Sequence, residues 1–319
     1  MKKMMLTGIT SAMLLTSFAA VAAPAPFASA AVTSQSQEAV KQGELLLKKL
    51  SVYKRTVSAG NIDEIDDLYD GITKQLSITE KSIGKVSGAA NRKLLITKYA
   101  VPAKVEVERT IYEVSQLRLL YTILNGLDSE EDYPYDADMA KLERMKKRAA
   151  AIKQAGGYQA LPASINLDLR KLEALTAGYN LSIYDYTVDE YTGADPDIYT
   201  ADEFYDDLTR YLKQTEIKIG QVAEKSYRTE LLNEFVAPAK VTVERTKYEI
   251  SELRLMNSVS ALIDEGKMEE AKTLFSKLEG LKSRAAAIKE AGGYRKLSKA
   301  IYDELLAYES DLKKDLGLN

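Results

Sequence analysis

Pro102–Leu124 reads PAKVEVERTIYEVSQLRLLYTIL, and Pro238–Ser260 reads PAKVTVERTKYEISELRLMNSVS; 14 of the 23 positions are identical. A second near-duplicate follows each copy: Leu142–Tyr158 (LERMKKRAAAIKQAGGY) and Leu278–Tyr294 (LEGLKSRAAAIKEAGGY), identical at 13 of 17 positions. All of these matches lie 136 positions apart. A fixed period makes the fold a series of like units, each burying its apolar face against the next.

Within the first copy, Val107, Thr110, Val114, Leu117, Tyr121 and Leu124 recur at alternating spacings of three and four, flanked by Tyr112, Leu119 and Ile123. So wide an apolar face suits a helix that touches two neighbours at once. Pro102 and Pro238 oppose that reading, because a proline inside a helix costs about 3 kcal/mol and kinks it. Both are read as a kink or restart within one long helix.

Upstream, Ala39, Leu46, Leu50, Tyr53 and Val57 give an amphipathic helix over 36–57. Gly60 is suited to its left-handed end, and Asn61 to capping the next helix. That next helix carries Ile62, Ile65, Tyr69, Ile72, Leu76, Thr79, Ile83 and Val86, a seam that faces a partner helix. Ile198, Ala201, Tyr205, Leu208, Leu212, Thr215, Ile219 and Val222 repeat it 136 positions later, although the surface residues differ. A further stripe, Ile165, Leu169, Leu172, Thr176, Tyr179, Ile183 and Tyr186, crosses the repeat boundary and predicts one helix shared by both repeats. Thr200-x-x-Glu203 reads as a capping box. A fainter match aligns Gly60, Ile62, Leu68, Tyr69 and Ile72 with Gly266, Met268, Leu274, Phe275 and Leu278, so the structural unit is half the long repeat.

The expected fold is all-α: an elongated rod of three-helix bundles in series, joined by shared helices that span ~50 Å each. Residues 1–30 read as a signal peptide, 31–177 as helical repeat 1 and 178–319 as helical repeat 2, with two bundles in each. Lys2 and Lys3, the apolar run to Val21 and the small-x-small end at Ala30 carry the export reading. No later segment approaches the ~18 apolar residues of a membrane helix.

Without Lys2 and Lys3 the chain holds 42 basic and 47 acidic residues, too acidic a balance for a nucleic-acid partner. It has no Cys, His or Trp, so Ser–His–Asp and Cys–His nucleophiles and the usual zinc sites are excluded together. No cofactor is expected. Carboxylate pairs are abundant, but a row of narrow bundles is expected to offer no pocket that shifts a carboxyl pKa, so no enzyme is expected.

The run from Ala59-Gly60-Asn61-Ile62-Asp63 to Leu68-Tyr69 resembles the helical N-terminal region of the SbsC-type S-layer proteins of Gram-positive bacteria, as does Glu265–Ala271 continuing to Lys289 and Gly293-Tyr294. That resemblance implies consecutive triple-helical bundles joined by contiguous helices. It also implies a secreted protein at the cell wall, attached non-covalently to an anionic secondary cell wall polysaccharide.

The residues that suit such attachment are basic. Arg144, Lys147, Arg148 and Lys153, with Arg284 and Lys289 in the second copy, would attract an anionic polymer, while Tyr158 or Tyr294 stacks on a sugar. Arg144, Lys147 and Arg148 share one helix face by their spacing. The bland alternative is a solvated rod surface, with Arg148 and Arg284 paired to acids on a neighbouring helix, in a spacer whose partners are other surface proteins. Glu108-Arg109, Glu244-Arg245, Tyr112-Glu113 and Tyr248-Glu249 read as inter-helix pairs. Asp185–Asp207 holds nine acidic residues and no basic one. Its Asp189, Glu190, Asp195 and Asp197 offer oxygens to calcium, but no EF-hand spacing is present, so no metal is expected.

Overall fold

The computed structural model describes residues 34–129 and 133–318. The expected signal peptide lies outside them. Every regular element within them is helical: α1 (Ser34–Ala59), α2 (Ile62–Gly84), α3 (Ala89–Leu95), α4 (Val101–Leu127), α5 (Tyr135–Gly156), α6 (Ala163–Tyr191), α7 (Ile198–Gly220), α8 (Lys225–Leu231), α9 (Ala237–Asp264), α10 (Met268–Phe275), α11 (Leu278–Gly292) and α12 (Lys299–Asp315). One π-helical turn, Ile96–Ala100, joins α3 to α4, and a second, Leu232–Val236, joins α8 to α9.

The helices pack in four successive groups. α1 and α2 pack on α3 and the start of α4; α4 continues against α5 and α6; α6 continues against α7, α8 and α9; and α9 continues against α10, α11 and α12. Three long helical segments therefore each serve two neighbours, and the chain is a series of three-helix bundles. One apolar core runs from Leu46 to Ala239 through the first three groups, and a second, from Ile198 to Leu316, fills the last.

The seam of α2 is buried from Ile62 to Ile83, and its counterparts in α7 are buried except for half-buried Tyr205. Its polar members are satisfied: Thr79 Oγ1 donates to the Gln42 carbonyl at 3.2 Å, and Thr215 Oγ1 to the Ala177 carbonyl at 3.0 Å. Asn61 caps α2 by accepting from the Asp63 and Glu64 amides, beside Gly60 at φ 79°. The expected capping box at Thr200 is not formed. Asp197 caps α7 instead, accepting from the Tyr199 and Thr200 amides, and Thr200 donates its hydroxyl to Asp197 at 2.7 Å.

Pro102 and Pro238 are absorbed by the π turns. The Val101 amide bonds five residues back to Ile96, and the Ala237 amide to Leu232. Widening the turn just before each proline accommodates the missing donor and the ring, so the helix continues. Each turn also presents a ring to a glycine. Tyr99 lies on Gly43 of α1 and Phe235 on Gly178 of α6, and a Cβ at either glycine would penetrate that ring. The ~1 kcal/mol that a helical glycine costs relative to alanine is the cost of this close approach. Gly178→Val should lower stability by about 1–3 kcal/mol through overpacking; an unchanged urea midpoint would show that the ring does not fix the contact.

The stripe expected along α6 holds only for its first half. Ile165, Leu169 and Thr176 are buried, but Tyr179, Ile183 and Tyr186 are 46%, 42% and 67% exposed. Beyond residue 176 the buried positions are Ala177, Gly178, Asn180, Leu181 and Val188. At 100° per residue all but Asn180 lie on roughly the opposite side of the helix. The reason is the change of partners: α7 lies along both halves, with Lys218 on Glu173 and Thr215 on Ala177, but α4 gives way to α9 and to the ring of Phe235 at Gly178. A helix shared by two bundles stays continuous and changes its buried face.

Candidate functional site

α5 and α11 carry the basic residues singled out in the sequence. In Arg–Ala–Ala–Ala–Ile–Lys, the first alanine is the one buried, 5% exposed in both copies (Ala149 and Ala285), and its small side chain lets α5 and α11 approach α4 and α9. The lysine that ends each run turns inward. Lys153 bonds Glu113 of α4, and Lys289 bonds Glu249 of α9, both buried carboxylates. These lysines are committed to neutralising charge inside the bundle, and removing either would leave a buried carboxylate without its counter-charge.

The tyrosines end their helices in a particular way. Gly157 and Gly293 take positive φ, 61° and 62°, and close α5 and α11. Tyr158 and Tyr294 then fold back over Gly156 and Gly292, where a Cβ would meet the ring. Both glycines of Ala-Gly-Gly-Tyr are thus required, one for the turn and one for the ring. Tyr158 donates to Glu108 Oε2 at 2.5 Å, and that bond, with burial adding to it, pushes its hydroxyl up to about 12. Tyr294 lines an open groove described below.

Arg144, Lys147 and Arg148 remain. All three are exposed on α5, and no ion pair or hydrogen bond engages them among the described residues. Arg284 is exposed and unpaired on the same terms, beside Lys277 in a shallow groove on α11. The pairing of Arg148 and Arg284 to neighbouring acids, the bland expectation, is therefore not found among those residues. The two copies differ here: Gly280 and Ser283 stand where the first copy has Arg144 and Lys147. Among the described residues, three cations on α5 and one on α11 stand without an ion pair or hydrogen bond.

The identical Glu-Arg pairs are structural, and they differ between copies. Arg109 donates to the Gln159 and Ala160 carbonyls at 2.7 and 2.6 Å and pairs with Glu106 at 3.1 Å, so it clamps the α5–α6 loop. Arg245 instead pairs with Asp189 of α6 at 2.6 Å and donates to Thr192 at 2.8 Å. Arg295 reaches the same Asp189 at 3.1 Å. Two of the oxygens considered for calcium are thereby engaged, Asp189 by arginines and Asp197 as the cap of α7. No group of three or more metal-ligating side chains occurs among the described residues.

Two features escaped the sequence reading. At the joint between the second and third bundles, buried Glu173 of α6 is held by Lys146 of α5 and by Lys218 of α7, the latter at 2.5 Å. Lys218 also bonds Glu143 at 2.9 Å. The second feature is the groove between α9, α11 and α12, about 920 Å³, with Glu249 and Glu252 in its wall. Burial, reinforced by the charge of Glu249, pushes the Glu252 carboxyl up to about 7. The expectation that these bundles offer no place to shift a carboxyl is therefore corrected. The available signal was a difference between the copies, since Gln116 occupies the equivalent position.

A series of three-helix bundles, with exposed cations gathered on one face of α5, defines an all-α helical protein. Residues 31–104 match the family model described as the SbsC C-terminal domain. The match covers the first bundle, under a quarter of the chain, and agrees with an SbsC-type S-layer helical region. Its description points to the C-terminal domain of SbsC, whereas the residue resemblance pointed to the helical N-terminal region. No curated protein and no solved structure matches the chain. No described helix is long and apolar enough to cross a membrane.

Proposed function

We propose that this chain is a secreted, S-layer-like helical rod of the Gram-positive cell wall that attaches non-covalently to an anionic secondary cell wall polysaccharide. Its role on this reading is structural, and residue 177 divides it into two repeats of two bundles each. The observation that carries the proposal is the trio Arg144, Lys147 and Arg148. These are three exposed cations on one face of α5, without a partner among the described residues, where Lys146 and Lys153 of the same helix are committed to carboxylates. A face of that kind attracts a polyanion by long-range Coulomb forces that salt screens. The family match at 31–104 supports a surface setting.

The test is sedimentation of the mature protein with purified cell walls, before and after chemical removal of the secondary polymer. Attachment is expected to the intact walls and to weaken with salt; equal sedimentation with both samples would sink the proposal. Reversing Arg144, Lys147 and Arg148 to Glu should weaken attachment at least ~10-fold at low ionic strength. A second reading, a spacer that binds another surface protein, is favoured by the exposed apolar residues Tyr179, Ile183 and Tyr186 of α6. It predicts that the charge-reversed protein still finds its partner.

A further inference from the structure

The groove in the last bundle has properties that the basic faces lack. Glu249 and Glu252 are 3% and 7% exposed, yet both line it. Glu249 bonds Lys289 through Oε1, while Oε2 is buried without a hydrogen-bond partner, and no hydrogen bond engages the Glu252 carboxylate among the described residues. A buried acceptor left unmade costs free energy; Glu113 Oε2 is left so in the first copy too, and what sets this groove apart is the second nearly buried carboxylate, Glu252. Tyr294 and Tyr302 stand at the same opening, with the Lys289 ammonium 5.6 Å from the Tyr302 ring centre. The volume, about 920 Å³, falls within the ~300–1,000 Å³ range of small-molecule sites.

The duplication within the chain serves as an internal control. The positions equivalent to Glu252 and Tyr302 are Gln116 and Asn166. Gln116 satisfies itself by donating to the Tyr112 carbonyl at 3.1 Å. Arg109 clamps the loop beside it, whereas Arg245 is turned away to Asp189. The second copy thus differs in three ways at one place: it has gained a carboxylate, gained a ring and lost a clamp.

We propose that this groove is a saccharide site that takes one neutral sugar residue. The sugar's hydroxyls donate to Glu249 Oε2 and to Glu252, and its apolar C–H face lies on Tyr294 or Tyr302. Charge-assisted acceptors suit hydroxyl donors, and an aromatic face with a polar tip suits a sugar ring. Of the lysines that line the groove, Lys282, Lys289 and Lys299 are matched to Glu309, Glu249 and Asp303, and Lys296 stands exposed at the rim beside the carboxylates Glu249, Glu252 and Glu290. The inference rests on the polysaccharide reading above and divides the work: the sugar ring goes to the last bundle, and the polymer's negative charge to α5.

Saturation-transfer NMR of the full chain with N-acetylglucosamine, glucose and galactose tests it. Transfer to at least one sugar is expected. It should fall at least five-fold in the double variant Glu252→Gln, Tyr302→Asn, which installs the residues of the first copy and so keeps a side-chain set the fold already uses. The charge-reversed α5 variant should retain it. Absence of transfer from the native chain to all three sugars, or undiminished transfer to the double variant, would overturn the site. Wall sedimentation is read separately, so loss of the site and loss of wall attachment are distinguishable.

Discussion

Replacing Ala177 by proline is expected to cost at least about 3 kcal/mol and to uncouple the second bundle from the third. Ala177 is 3% exposed in the middle of α6, and its carbonyl accepts the Thr215 hydroxyl of α7. A proline there removes the amide bond to Glu173, and its ring clashes with that residue's carbonyl. Glu173 is also the carboxylate that Lys146 and Lys218 grip from either side of the joint. Both the helix and the ion cluster across the joint are thus disturbed at one point. The chain tolerates proline at 102 and 238 because a π turn precedes each, with Val101 bonded to Ile96 and Ala237 to Leu232. No π turn lies within α6. Pro102→Ala is therefore expected to change stability far less than Ala177→Pro. Urea unfolding followed by circular dichroism should show the proline variant melting earlier and in more than one step, as coupling between neighbouring units weakens. Small-angle scattering should show it bent. A single transition at the native midpoint would mean that α6 does not couple the bundles.

What the sequence disclosed depended on whether a residue's neighbours change along its helix. α2 lies in one bundle, and its seam, Ile62 to Ile83, is legible in full. The seam of α7 keeps one phase from Ile198 to Ile219, with Tyr205 half-buried, although Ile198 and Ala201 join the core of the last bundle and the rest the core before it. α6 serves two bundles, and spacing alone cannot show when a helix exchanges its partners. Tyr179, Ile183 and Tyr186 follow the first-half phase, which predicts burial, yet they face solvent. The cations show the same limit. Lys147 and Lys153 look alike in sequence, and only the position of Glu113 on the neighbouring helix separates a free charge from a committed one. The cap of α7 was misplaced because Asp197 and Thr200 both suit an N-cap, and the backbone turns at the first of them. The groove of the last bundle was latent in the duplication, as a pair of departures, Glu252 from Gln116 and Tyr302 from Asn166, with no local motif to announce it.

Glu252→Gln is expected to stabilise the protein above neutral pH and to leave it unchanged in acid. The Glu252 carboxyl, on α9, faces Glu249 on its own helix, Lys282 and Lys289 on α11, and Glu309 on α12. Burial and the Glu249 charge raise it more than the two lysines lower it, from 4.5 to about 7. The folded state therefore holds the proton more tightly than the unfolded chain does. Stability from this group is fully present below about pH 4.5 and declines as pH rises through 7, because the unfolded chain releases its proton first. At 1.36 kcal/mol per unit, the decline reaches about 3 kcal/mol by pH 8. Glutamine resembles the protonated carboxyl in shape and carries no charge, so the variant escapes the decline. Urea midpoints of the two proteins should coincide near pH 4 and separate towards pH 8, with the variant the more stable. Parallel curves across that range would mean that Glu252 is solvated, and the groove would then lack its buried acceptor. If the curves do separate, the native chain keeps a carboxylate that weakens its own last bundle at neutral pH, although its first copy shows that glutamine fits. That cost is intelligible where the acceptor serves a ligand rather than the fold.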